Sequence, residues 1–122
     1  MKKYVLLGFL VLFVVAGVFA QTITKIEQGR SSGSFVITAS NGNNAYVGGG
    51  NWTLAAWSGE VAVFRAGNTL ITYDARGNKL GEQSNPDFGR ATITVSGSTI
   101  TVRGSTTATY NSRLNLTSGG RS

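Results

Sequence analysis

The sequence predicts an all-β chain, a small antiparallel β-sandwich or barrel built largely of sequential hairpins. Three observations carry that prediction. Beyond residue 20, no apolar period of 3.6 residues is sustained, so no amphipathic helix is encoded. Short runs rich in Val, Ile, Thr and aromatic residues recur instead, each broken by Gly, Asn or Ser. The runs follow one another closely, so sequence neighbours pair through tight turns and the sheets are largely antiparallel meanders.

Residues 1–20 stand apart from the β pattern. Met1-Lys2-Lys3-Tyr4 is a short basic head, and VLLGFLVLFVVAGV follows without a charge. Val18 and Ala20 stand three and one residues before a break at Gln21, which is the pattern of a secretory signal peptide cleaved after Ala20. The alternative is an uncleaved anchor. The apolar run from Tyr4 to Ala20 is at the lower edge of what spans a bilayer, and no basic cluster follows it as a stop. With no cysteine in the chain, a lipid-modified cysteine at the new N-terminus is excluded. The expected organisation is therefore a signal peptide at 1–20 and a single β domain at 21–122. No membrane span is expected after cleavage. The expected location is the periplasm, the cell surface or the exterior.

Strands are expected at 22–28, 34–39, 51–57, 60–66, 69–74, 78–83, 91–96, 99–103, 106–110 and 113–117, with a loose tail over 118–122. Between the second and third of these, Asn41-Gly42-Asn43-Asn44 and Gly48-Gly49-Gly50 flank Tyr46. That stretch reads as a long, amide-rich connection, a place for a binding loop or simply a solvated turn. In the third strand, GGGNWTLAAWSGE, regular alternation puts Trp52, Leu54 and Ala56 on one face and Thr53, Ala55 and Trp57 on the other. Only a bulge at Ala55-Ala56 would bring the two tryptophans to one side.

EVAVFRAGNTLIT, residues 60–72, is a hairpin with two possible registers. A Gly67-Asn68 turn pairs Phe64 with Ile71, whereas a three-residue Ala66-Gly67-Asn68 loop pairs Val63 with Ile71. Apolar residues on both faces imply a central strand covered on both sides. In LITYDARGNKLGE, residues 70–82, Asp74 caps a type I turn and Gly77 takes the left-handed position, which places Tyr73 near Lys79 and Thr72 near Leu80. In ATITVSGSTITVR, residues 91–103, Gly97-Ser98 fits a type II′ turn. Ser96 then faces Thr99, Val95 faces Ile100, Thr94 faces Thr101 and Ile93 faces Val102. Ile93, Val95, Ile100 and Val102 share one face, and a ladder of threonines occupies the other. Such a ladder can order water or bind a flat polymer, and threonine is also a common polar residue of strands.

Composition narrows the function. Loss of Lys2 and Lys3 with the signal peptide leaves nine basic residues against five acidic ones, a net charge of +4. The basic residues are scattered. They serve as solvated surface, or they favour an anionic partner such as lipid head groups, acidic glycans or a polyanionic wall. Nucleic acid is not the expected partner of an exported protein. The chain has no histidine and no cysteine, which removes His-based triads, thiol nucleophiles and the usual zinc and redox sites. Five carboxylates remain, at Glu27, Glu60, Asp74, Glu82 and Asp87. Glu60 and Asp74 are the pair to test for closeness across the sheet, although each already has a structural reading. The oxygen-rich stretches 41–44 and 84–87 lack the carboxylate cluster that calcium wants. The sequence therefore assigns no catalytic residue, no metal and no cofactor. Its candidate binding residues are Trp57, Tyr46, Asn43, Asn44 and Asn51. They offer aromatic faces and amides to a glycan or wall polymer, gathered at one end of the sheet.

Two resemblances have implications of their own. LITYDARGNKLGE resembles one unit of the tyrosine–aspartate repeats of bacterial shell-forming toxins, but it occurs once and those repeats come in long arrays. The order Ser40-Gly42, Tyr46, then Trp57-Ser58-Gly59-Glu60 resembles the periplasmic inhibitors of animal-type lysozyme, which are small β-barrels. That stretch lies mid-chain and lacks the cysteine pair of many members. The resemblance implies a protein partner held by a loop. The expected function is thus a non-catalytic binding module of the bacterial envelope, with a self-assembling surface protein and a lysozyme-inhibitor-like protein as alternatives.

Overall fold

A computed structural model describes residues 21–31 and 33–119. The signal peptide expected at 1–20 lies outside them. The described residues form three antiparallel sheets, each a meander in chain order. The first holds β1 (Ile23–Gln28), β2 (Ser34–Ala39) and β3 (Asn44–Gly48). The second holds β4 (Thr53–Trp57), β5 (Ala62–Ala66), β6 (Thr69–Tyr73) and β7 (Lys79–Ser84). A 3-10 helix over Pro86–Arg90 leads into the third, of β8 (Thr92–Ser96), β9 (Thr99–Arg103), β10 (Thr107–Tyr110) and β11 (Leu116–Gly119). Among these residues no sheet closes into a barrel, and no helix is long and apolar enough to cross a membrane.

The second sheet is the middle layer, and its two faces build two cores. On one side Ala62 and Phe64 pack with Ile23, Phe35, Ile37 and Ala39 of the first sheet. On the other, Val61, Val63 and Leu70 pack with Ile93, Ile100 and Val102 of the third and with Leu114 of the β10–β11 connection. This double covering explains why β5 reads as consecutive apolar residues rather than as an alternation. Phe64 is the hub of the first core, with ring centroids 5.0 Å from Phe35, 5.6 Å from Trp52 and 5.9 Å from Tyr73. In the second core Phe88, carried on the 3-10 helix, meets Tyr110 edge-on at 6.1 Å.

Polar threads fix the third sheet to the middle one. Arg65 Nη1 donates to the carbonyls of Phe88 at 2.9 Å and Ala91 at 2.8 Å, which anchors the C-terminal half of the 3-10 segment. Buried Thr72 donates to the Ser112 carbonyl at 2.6 Å, so its hydroxyl is satisfied inside the core. Ser58 donates to the Gly97 carbonyl at 2.6 Å, joining a turn of the middle sheet to the β8–β9 turn.

Local turn chemistry gives the hairpins anticipated from the sequence. The β8–β9 register is Ser96 with Thr99, Val95 with Ile100, Thr94 with Thr101 and Ile93 with Val102. Gly97 sits at φ 60°, the left-handed position that a II′ turn needs. Phe64 pairs with Ile71, so the two-residue turn sets the β5–β6 register. Asp74 Oδ1 accepts from the backbone N–H of Arg76 and of Asn78, each at 2.9 Å. Tyr73 pairs with Lys79, but a bulge then matches Thr72 to Gly81 rather than Leu80.

Four expectations are corrected. Residues 44–48 are not loop but strand β3, because β2 supplies both its hydrogen bonds and an apolar surface for Ala45 and Val47. The Pro86–Arg90 helix was missed, although Asn85 caps it by accepting from Asp87 N–H at 2.9 Å and Pro86 opens it. The last strand is displaced from 113–117 to Leu116–Gly119, so Ser118 pairs with Thr109 instead of fraying. Finally, the register shifts between Leu54 and Ala56, so Leu54 pairs with Phe64 and Trp57 with Ala62. The extra residue puts both Ala55 and Ala56 against the second core, and Trp57 takes the face that carries Trp52.

Candidate functional site

The outward face of the first sheet is set by strict alternation. In β2, Phe35, Ile37 and Ala39 are buried, so Ser34, Val36 and Thr38 turn outward. In β3, Ala45 and Val47 face inward and Tyr46 faces out, opposite Val36. Tyr46 is 78% exposed, the most open of the large hydrophobic side chains among the described residues. Arg30, Ser31, Ser34, Val36 and Tyr46 line one open depression of about 500 Å³. Ser34 Oγ donates to the Ser31 carbonyl at 2.8 Å and so ties the β1–β2 turn to the sheet beside it. Farther along the same face, Thr38 Oγ1 donates to Asn44 Oδ1 at 3.0 Å. Lys25 and Glu27 stand 3.7 Å apart there.

A second depression, of about 320 Å³, opens at the end of this sheet. Gln21, Asn43, Asn44 and Ala45 line one side, and Ala75 and Arg76 of the β6–β7 turn line the other. The turn sits close because Gly77 lies against Ala45, where any Cβ would collide with the alanine methyl. Gly77 also holds φ 84° there.

The electrostatics of the two depressions are alike. The ion pairs among the described residues are Lys25–Glu27 and Lys79–Glu82. The hydrogen bond and the charge of Glu82 raise the Lys79 ammonium above its ordinary value. Among the described residues Arg30 and Arg76 have no carboxylate partner, so on those residues each depression carries an uncompensated cation. The carboxylates are occupied separately. Asp74 serves its own turn, and Asp87 accepts from the Ser105 hydroxyl at 2.6 Å. Glu27 and Glu82 pair with lysines, and Glu60 reaches the Gly97 turn. Among the described residues, no three His, Cys, Asp or Glu side chains come together as a metal site.

The five residues expected to form one binding end are divided. Asn43 and Asn44 share the end depression, but Tyr46 belongs to the face depression. Trp57, 39% exposed, closes β4 at the end that also holds Gly59, whose carbonyl accepts from Ile23 N–H. It lines neither depression. Asn51 lies at the opposite end, just beyond Gly48–Gly50, where the chain packs on Gly33. Sequence reasoning missed Arg30, Ser31, Ser34 and Val36 around Tyr46, and Gln21 and Arg76 near Asn43. The signal for the first group was the alternation of 34–39, which already assigns Ser34 and Val36 to the outer face. The open sheets also depart from the closed barrel that the lysozyme-inhibitor resemblance implies. No protein-family model, curated protein or solved structure matches the chain.

Proposed function

We propose that this chain is an exported, non-catalytic β module of the bacterial envelope or exterior. On this reading it binds a glycan or wall-derived polymer across the outer face of its first sheet. The observation that carries the reading is Tyr46. It stands 78% exposed in the depression that holds the uncompensated Arg30. A sugar ring needs an aromatic face to cover its C–H surface and hydroxyl or amide groups to meet its oxygens. Tyr46 offers the first, and Ser31, Ser34, Thr38 and Asn44 offer the second along the same face. Arg30 adds attraction for carboxylate or phosphate groups on the polymer, an attraction that weakens as salt screens it. The apolar leader at residues 1–20 supports delivery to the compartment where such polymers lie.

A second reading, self-assembly through strand edges, rests on Leu116, which is 55% exposed on the edge strand β11. Titration of the purified protein against soluble wall-glycan fragments and against lysozyme, followed by intrinsic fluorescence, separates the possibilities. Tyr46→Ala is expected to weaken glycan binding at least tenfold, equivalent to about 1.4 kcal/mol. Trp57→Ala is expected to leave it unchanged. Glycan binding that survives Tyr46→Ala sinks the proposed face, and concentration-dependent polymers without any glycan binding favour assembly.

A further inference from the structure

We propose that the outer face of the third sheet is a water-ordering surface that adsorbs to ice. Thr94, Thr101 and Thr109 stand opposite one another across β8, β9 and β10. Thr92 and Thr107 flank Arg103 in the row on one side, and Ser96 faces Thr99 on the other. Their sequence neighbours Ile93, Ile100, Val102 and Ala108 are buried, so alternation turns the whole hydroxyl set outward. Thr92, Thr94, Thr99 and Thr107 are exposed, and none of their hydroxyls is engaged within the protein.

Sheet geometry makes this set a lattice. Strands lie about 4.8 Å apart, and alternate residues along a strand lie about 6.7 Å apart. Twist rotates neighbouring strands by about 20–25°. The patch is only two or three outward residues deep along each strand, so this rotation displaces its threonines by only about 1–3 Å per strand. Threonine suits the task because its branched Cβ restricts χ1, which holds each hydroxyl in place before contact. The free hydroxyls of Thr92, Thr94, Thr99 and Thr107 each both donate and accept, as a lattice water does, whereas the Thr109 hydroxyl bonds Thr117 and Ser118 of β11. Each methyl beside it sheds its own hydration when the surface docks.

Other ligand classes fit this face poorly. A compact ligand wants a concave, largely apolar site. A polyanion wants clustered cations, and Arg103 stands alone in the grid. A polysaccharide wants an aromatic platform, whereas Tyr110, the aromatic residue of this sheet, packs inward against Phe88. The partner that matches is neutral, periodic and made of hydrogen-bonding groups spaced a few ångström apart.

The test is slow growth of an ice front through a solution of the purified protein, with the protein assayed in the ice and in the residual liquid. Wild type is expected to concentrate in the ice at least tenfold over Thr94→Lys and Thr107→Lys. Both substitutions put a long charged chain on exposed grid positions. Circular dichroism checks that each variant keeps its fold, and the wild-type partition stands without them. Tyr46→Ala is expected to partition like wild type, which keeps this inference separate from the glycan reading. Wild type left wholly in the liquid overturns the proposal. So does partition that both lysine variants retain, or retention on crystalline cellulose that Thr94→Lys abolishes while ice takes up no protein.

Discussion

Arg65 shows how one residue holds two layers together. Its strand position faces the third sheet, opposite Thr53 and Leu70. From there one guanidinium nitrogen donates to the Phe88 carbonyl, which also accepts from the Ala91 N–H at 3.4 Å, and to the carbonyl of Ala91 just beyond the short 3-10 helix. Replacement by Met keeps most of the apolar stem and removes both donors. Hydrogen bonds from a charged group contribute about 1.5–3 kcal/mol each, and the two share one nitrogen, so Arg65→Met is expected to cost roughly 2–3 kcal/mol. Urea unfolding should show a lower midpoint with an unchanged slope, and a loss below about 0.5 kcal/mol, the range of ordinary surface changes, would refute the clamp. Leu114 makes a comparable point about strain. It is the one non-glycine residue at positive φ among the described residues, at 65°, and it is fully buried in the second core. Left-handed backbone costs roughly 1–2 kcal/mol, which burial of a leucine side chain offsets.

Elements here are specified by their turns more than by their strands. The β8–β9 hairpin depends on Gly97, since φ 60° excludes a branched side chain at little cost to any other position. Gly97→Val is expected to cost about 1–2 kcal/mol from the left-handed backbone alone. For a domain of this size that lowers the melting temperature by about 4–8 °C per kcal/mol. Ser98→Val, one residue on, should move it by less than half as much. Equal effects at the two positions would argue against the II′ geometry. The β6–β7 turn is fixed twice over, by the two hydrogen bonds into Asp74 Oδ1 and by the contact of Gly77 with Ala45. It therefore joins the middle sheet to the edge of the first and closes one side of the Asn43–Asn44 depression.

For the whole molecule, the shared middle sheet makes the two cores interdependent. β5 supplies Ala62 and Phe64 to one core and Val63 to the other, so neither core persists when this strand is lost. Ile100 is fully buried in the second core, and Trp52 packs in the first. Ile100→Ala is expected to destabilise by about 2–5 kcal/mol through lost burial and a residual cavity. In a Trp57→Phe background, Trp52 is the only tryptophan. Its emission and the far-ultraviolet circular dichroism should then move to the same lower midpoint, as one cooperative transition requires. Separate midpoints would show that the layers unfold independently. The same architecture leaves two outer faces with different chemistry. The first sheet presents Tyr46 beside Arg30, and the third presents a threonine lattice with one arginine.

The sequence by itself determined the all-β class, the hairpin register of 91–103, the Asp74-capped turn and the double covering of β5. These follow from alternation and turn chemistry, which act between residues close along the chain. It also made Tyr46 a candidate, though for the wrong reason, as a loop residue. Tertiary structure decided that 44–48 pairs with β2, because a short run between glycines and asparagines becomes a strand only where a partner supplies hydrogen bonds and an apolar surface. It decided the bulge after Leu54, which reversed the face of Trp57. Alanine fits either side of a strand, so the local sequence left the choice to packing on Ile93, Ile100 and their neighbours. It also separated Asn51 from Asn43 and Asn44 and placed Arg30 beside Tyr46. Which side chains share a surface depends on how the sheets stack, and stacking is fixed by contacts between residues far apart in the chain.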